Sequence, residues 1–145
     1  MIRIALYLCP QTVLSSLSMA DDAFRLANQL AGEALFALQR VSIDGQPVQL
    51  GYARLQVDGD LQLAESADLL LIPATGSALD RILQHNAALL AWLAQRPQHQ
   101  QLASLCSSVS LSLCSHAASS HFWAPGGASA PTRMSTPPPK RKLTP

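Results

Sequence analysis

Ile2 to Leu8 is an apolar run interrupted only by Arg3 and closed by Cys9-Pro10-Gln11. A strand buried on both faces of a parallel sheet has this pattern, so the spacing predicts the first strand here. From Thr12 to Ala31 the apolar positions Val13, Leu14, Leu17, Ala20, Phe24, Ala27, Leu30 and Ala31 recur mostly at steps of three and four, which predicts an amphipathic helix stopped by Gly32. Leu35 to Ile43 alternates towards a second strand closed by Asp44-Gly45. Val48 to Leu63 holds short strand-like pieces around another turn at Asp58-Gly59-Asp60. Asp68 to Pro73 repeats the buried-strand signature. Ala74-Thr75-Gly76-Ser77 comes next as a small-residue loop, with Ser77 placed to cap a helical stretch. Between Asn86 and Gln95 the stripe Ala87, Leu90, Ala91 and Ala94, broadened by Leu89, Trp92 and Leu93, predicts a helix ended by Arg96-Pro97. Leu102 to Cys106 is expected to be a third buried strand.

Strands alternating with helices imply an α/β fold, a flavodoxin-like, doubly wound parallel sheet. Ligands of such sheets sit outside the carboxyl ends of the strands. Cys9-Pro10, Pro73 to Gly76 and Cys106-Ser107-Ser108 all fall at that edge.

The pattern fails after Cys106. All nine acidic residues precede it, with six Arg and no Lys, for a net charge of −3; the four remaining basic residues come after it, together with nine Ser and six Pro. The chain of 145 residues therefore divides into a partial α/β domain over 1–108 and a Ser/Ala/Pro-rich tail over 109–145 whose composition predicts disorder, so that the sheet is expected to be incomplete. Neither charge balance has the strength of a nucleic-acid footprint. Pro139-Lys140-Arg141-Lys142 is three charges on a Pro-rich end, the pattern of a solvated tail.

Cys9, Cys106 and Cys114 form no even framework and no Cys/His metal spacing, so a reduced, cytoplasmic setting without metal or cofactor is expected. The first twenty residues superficially imitate a secretory signal, but Pro10-Gln11-Thr12 interrupts the apolar stretch. No run approaches the ~20 apolar residues that span a membrane.

Cys106 ends an apolar strand and precedes two small residues. A nucleophile elbow needs small neighbours at its sharp turn, and a helix N-terminus beyond it favours the thiolate. A buried cysteine at a strand end has the same sequence.

Ala67-Asp68-Leu69-Leu70-Leu71-Ile72-Pro73, with Leu102-Ala103-Ser104-Leu105-Cys106-Ser107 further on, resembles the PfpI/ThiJ family of class I glutamine-amidotransferase-like domains. Leu17 with Phe24-Arg25-Leu26-Ala27-Asn28, and Val41-Ser42-Ile43-Asp44-Gly45, make the likeness greatest to the amino-terminal sensor domain of GlxA-type AraC regulators, over roughly residues 1 to 108. The resemblance implies a site built from Cys106, Asp22 in place of the family's glutamate, and a ligand-binding loop of Ala74, Thr75, Gly76 and Ser107. Asp22 is equally readable as a solvated or capping acid beside Asp21.

The sequence also departs from the family. Ala74-Thr75-Gly76 replaces a Gly-Gly loop whose amides approach a bound carbonyl. Ser108 replaces Gly, and the family's downstream Thr-Thr-His-Trp is missing at its spacing, His121-Phe122-Trp123 lying too early. A cysteine nucleophile then lacks a base. The resemblance therefore implies a non-catalytic sensor of an unidentified small molecule, without its DNA-binding region, so that no DNA binding is expected of this chain. The alternatives are a cysteine-dependent hydrolase or hydratase, with Cys106 as nucleophile and Asp22 sharing its proton, and a non-functional fragment. Uncovered apolar faces of Leu69, Leu71, Ile72 and Leu105 predict marginal stability and, with it, aggregation or homodimerisation.

Residues after about Ser107 are expected to come from a shifted reading frame. Taking the third base of each codon with the first two of the next, Ala117 to His121 can encode Gly-Leu-Leu-Ala, Ala130 to Arg133 Thr-His-Ala, and Lys142 to Pro145 can end in Tyr-Pro, all in the order of GlxA-type domains.

Overall fold

The computed structural model describes residues 1–76 and 79–105. Four parallel strands form the main sheet: β1 (Ile2–Tyr7), β2 (Phe36–Val41), β5 (Leu69–Ile72) and β6 (Gln101–Ser104), in the order β2-β1-β5-β6. Helix α1 (Leu14–Ala31) connects β1 to β2. A separate antiparallel pair, β3 (Val48–Leu50) and β4 (Ala53–Leu55), and the short helix α2 (Leu61–Ala64) fill the passage from β2 to β5, and α3 (Leu79–His85) and α4 (Ala87–Gln95) lead from β5 to β6. The chain leaves β1 in one direction to make β2 and returns on β1's other side to make β5. This is the strand order of a doubly wound, flavodoxin-like sheet.

Alternation along β1 explains why the first run is apolar throughout. Ile4, Leu6 and Leu8 enter one core with Leu17 and Ala20 of α1 and Val48 and Leu50 of β3. Ala5, Tyr7 and Cys9 enter the other, with Leu61 of α2, Ile82 of α3 and Leu89 and Leu93 of α4. Strands covered on both faces carry no polar side in the sequence. Arg3, the one interruption, lies at the amino end, where its N–H donates to Asp68 Oδ2 at 2.8 Å.

Helix α1 ends as its sequence requires. Gly32 takes the left-handed conformation at φ 71°, and its N–H donates to Gln29 O at 3.3 Å. Two residues of the Phe24 to Asn28 segment hold the helix on β2: Phe24 packs on Phe36 with ring centroids 5.1 Å apart, and Asn28 donates to Phe36 O (2.8 Å) and accepts from Phe36 N (2.9 Å).

Three expectations need correction. Asp58-Gly59-Asp60 is no strand-to-strand turn: the hairpin turns at Gly51-Tyr52, and Asp60 caps α2, accepting from Gln62 N and Leu63 N. Leu61 to Leu63 is therefore helix. The stripe of the later helix is rotated: Ala87, Ala91 and Ala94 are exposed, and the buried line runs Ile82, Asn86, Leu89, Leu93. The third strand ends at Ser104, and its residues are exposed or only partly buried rather than buried. The expected cap at Ser77, the elbow Cys106-Ser107 and the tail over 109–145 lie outside the described residues.

Candidate functional site

The switch point of the sheet lies between the carboxyl ends of β1 and β5. There the loop after β1 and the loop after β5 are stitched together by backbone hydrogen bonds: Val13 N to Ala74 O (2.7 Å) and Gly76 N to Gln11 O (2.8 Å), around an antiparallel bridge between Thr12 and Thr75. Ser16, in the first turn of α1, accepts from Ala74 N at 2.9 Å through its hydroxyl. The amides of Ala74 and Gly76 thus already have partners within the protein. An oxyanion site needs free donors aimed at the reacting oxygen. Packing is close as well, because a Cβ on Gly76 would stand 3.2 Å from Val13 Cγ2.

Of the residues singled out in the sequence, Ala74, Thr75 and Gly76 do lie at this edge, Ala74 and Thr75 buried and Gly76 exposed. Asp22 does not join them. It is exposed on α1, six residues beyond Ser16, hence about 9 Å further along the axis and roughly 120° round it. The side chain that meets the loop from α1 is Ser16, a contact that no motif marked. Of the paired acids, it is Asp21 that is engaged, binding Arg25 Nε at 2.5 Å and Arg40 Nη2 at 2.8 Å and so tying α1 to β2. Cys106 and Ser107 lie outside the described residues. Leu105, just before them, donates its N–H to Ile72 O at 3.0 Å, which brings the chain to the carboxyl edge beside Pro73.

One strand over, a cavity of about 180 Å³ opens between the carboxyl ends of β1 and β2. Its polar lining comes from Tyr7, Cys9, Ser42, Asp44, Gln46 and His85, its apolar lining from Leu8, Ile43, Pro47 and Val48. The Val41 to Gly45 segment builds one wall. Ser42 Oγ donates to Gln46 O (2.9 Å), and Asp44 Oδ1 accepts from Gln46 N (3.1 Å). Cys9 forms the other wall in a tight turn, its N–H donating to Thr12 Oγ1 (3.0 Å) and its Sγ 3.6 Å from the same oxygen. Burial, with Cys9 and Asp44 nearby, pushes the Tyr7 hydroxyl well above the ordinary tyrosine range, so it enters the cavity wall as a neutral phenol. Among the described residues no group of three or more His, Cys, Asp or Glu is placed to hold a metal ion, and no helix is long and apolar enough to cross a membrane.

No family model and no curated protein matches the chain. Solved structures do match. A candidate transcriptional regulator from Vibrio parahaemolyticus superposes with a TM-score of 0.67 at 14% identity, over 80% of this chain and 62% of its own. An AraC family transcriptional regulator from Pseudomonas putida gives 0.57 at 21% identity, over 79% and 61%. DJ-1beta of Drosophila melanogaster gives 0.60 at 14%, over 79% and 60%. The chain thus spans about three fifths of the length of these structures. At such identities the likeness establishes architecture, and the chain has the α/β fold common to DJ-1, ThiJ/PfpI and AraC-type regulator structures.

Proposed function

We propose that residues 1–108 form the ligand-sensing, non-catalytic domain of an AraC-type transcription regulator, and that a small molecule occupies the cavity at the carboxyl ends of β1 and β2. The observation that carries this reading is the engagement of the Ala74 and Gly76 amides by Ser16 and Gln11. It supports a sensor because these two amides are not free to serve a developing oxyanion, and because Asp22 stands away from them on an exposed helix face. The likeness to AraC-type structures agrees with a regulator, whose DNA-binding function belongs to parts other than this domain.

A second reading, a cysteine-dependent hydrolase or hydratase, draws on the Leu105 to Ile72 hydrogen bond, which delivers the chain to the edge where an elbow nucleophile would act. One experiment separates the two. The purified chain is assayed with p-nitrophenyl acetate and an aryl isocyanide beside its Cys106→Ser variant, and its melting temperature is tracked against a panel of small metabolites. The sensor reading expects equal background rates and a metabolite-dependent rise in melting temperature that Gln46→Trp, which fills the cavity, removes. A turnover lost in Cys106→Ser would install the enzyme reading.

A further inference from the structure

The cavity between β1 and β2 is unevenly provided with hydrogen-bonding groups. Three of its side chains have committed a proton to the protein: the Tyr7 hydroxyl donates to Asn86 Oδ1 at 2.8 Å, Ser42 Oγ to Gln46 O at 2.9 Å, and His85 Nδ1 to Arg81 O at 2.8 Å. A carbonyl oxygen only accepts, so it fixes the imidazole proton on Nδ1 and leaves Nε2 of the neutral ring as an acceptor. Each hydroxyl likewise keeps lone pairs and no free proton. Asp44 adds a carboxylate, whose Oδ1 accepts from Gln46 N at 3.1 Å. Among the described residues no Arg or Lys lines the cavity. The polar lining is thus rich in acceptors, and its formal charge is negative.

We propose that the ligand of this cavity is a small primary amine with an apolar stem and no carboxylate, its ammonium group held by Asp44 and its stem laid against Leu8, Ile43, Pro47 and Val48. A primary ammonium carries three N–H donors and one positive charge, the two things that a wall of acceptors beside a carboxylate lacks. A quaternary ammonium has the charge but no N–H, and leaves the acceptors unmet. An amino acid brings a second carboxylate to the side of Asp44, where no cation receives it.

Asp44 is exposed, so its ion pair alone is weak. The stem supplies the rest. Leu8 and Val48 are buried, and Ile43 is 38% exposed beside the mouth, so a stem that covers this wall gains about fourfold in affinity for each methylene removed from water. This ligand class presupposes that the cavity is the sensing site.

Isothermal titration calorimetry of the full chain at about pH 8, where imidazole is neutral and a primary ammonium still charged, tests it with probes that share a phenylethyl stem. Phenethylamine should bind at least ~10-fold more tightly than its trimethylated form, phenethyl alcohol, phenylpropionate or phenylalanine. Asp44→Asn, which keeps the Oδ1 acceptor for Gln46 N, should weaken phenethylamine ~10-fold and leave phenethyl alcohol unchanged, a split that misfolding cannot mimic. Phenethylamine that fails to bind, any of the other probes binding as tightly, or an Asp44→Asn variant that binds the amine as wild type does would each overturn the proposal. The sensing site survives that failure if some other metabolite still raises the melting temperature of wild type and not of Gln46→Trp, and falls with the amine if none does.

Discussion

Tyr7 and Asn86, 79 residues apart, meet through a buried 2.8 Å hydrogen bond from the phenol hydroxyl to Asn86 Oδ1. Asn86 is the joint between α3 and α4, and its Nδ2 donates to Ile82 O at 2.8 Å. One amide thus ties both helices to the central strand.

Replacing either partner orphans the other. Asn86→Leu should cost about 2–3 kcal/mol, since it leaves the buried Tyr7 hydroxyl without its acceptor and takes one of two donors from the Ile82 carbonyl, which keeps the backbone N–H of residue 86, and Tyr7→Phe about 1–2 kcal/mol. The double variant should fall short of the sum, because the second change removes a group already unpaired. Urea unfolding of the four proteins measures this.

The same phenol sets an alkaline limit. Its pKa is raised by folding, chiefly by burial. The unfolded chain therefore loses that proton first, near pH 10, while the folded chain keeps it. Stability from this group is complete below pH 10 and falls above it by about 1.4 kcal/mol per pH unit until the folded pKa is reached. A plot of unfolding free energy against pH should show this slope, and Tyr7→Phe should lack it.

At the end of α1, Gly32 occupies φ 71° with nothing within 4 Å of an added Cβ. Gly32→Ala should then cost about 1 kcal/mol from backbone strain alone. Asp60→Ala, which removes the cap of α2, should cost a similar ~1 kcal/mol. Thermal unfolding of each variant provides the comparison.

Ser16 and Asp22 should behave oppositely. Ser16→Ala strips the Ala74 amide of its acceptor and should cost about 1 kcal/mol while speeding hydrogen exchange at that amide. Asp22→Ala should stay within about 0.5 kcal/mol of wild type and leave that exchange rate unchanged.

The elements that the sequence displays plainly are those whose pattern has one physical source. Ile2 to Leu8 is covered on both faces, so every residue past Arg3 is apolar, and Gly32 stops α1 because only it tolerates the left-handed cap without cost. The misreadings arise where one residue type serves two ends. Asp60 looks like part of a hairpin turn, yet an aspartate is also a helix cap, and the choice depends on whether the Gln62 and Leu63 amides turn back towards its carboxylate. The α3–α4 stripe is hard to phase because one of its core positions is Asn86, polar and fully buried against Tyr7. At the candidate site the loop residues are legible from small size and place. Ser16 is not, since a serine hydroxyl announces nothing until its backbone partner is known.

The strand order also has a consequence for synthesis. Strand β1 is the first element made, but one of its two neighbours, β5, lies far off in the chain: Arg3 and Asp68, paired at the start of the two strands, are 65 residues apart. At roughly 5–20 residues per second, the ribosome takes roughly 3–13 s to close that gap. For the first half of that interval Ile4, Ala5 and Leu6 lack both neighbours, and once Val41 is made they have β2 on one side and an open edge on the other. An open edge on an apolar strand is a template for wrong pairing, so the nascent chain is most vulnerable to aggregation before Leu69 emerges.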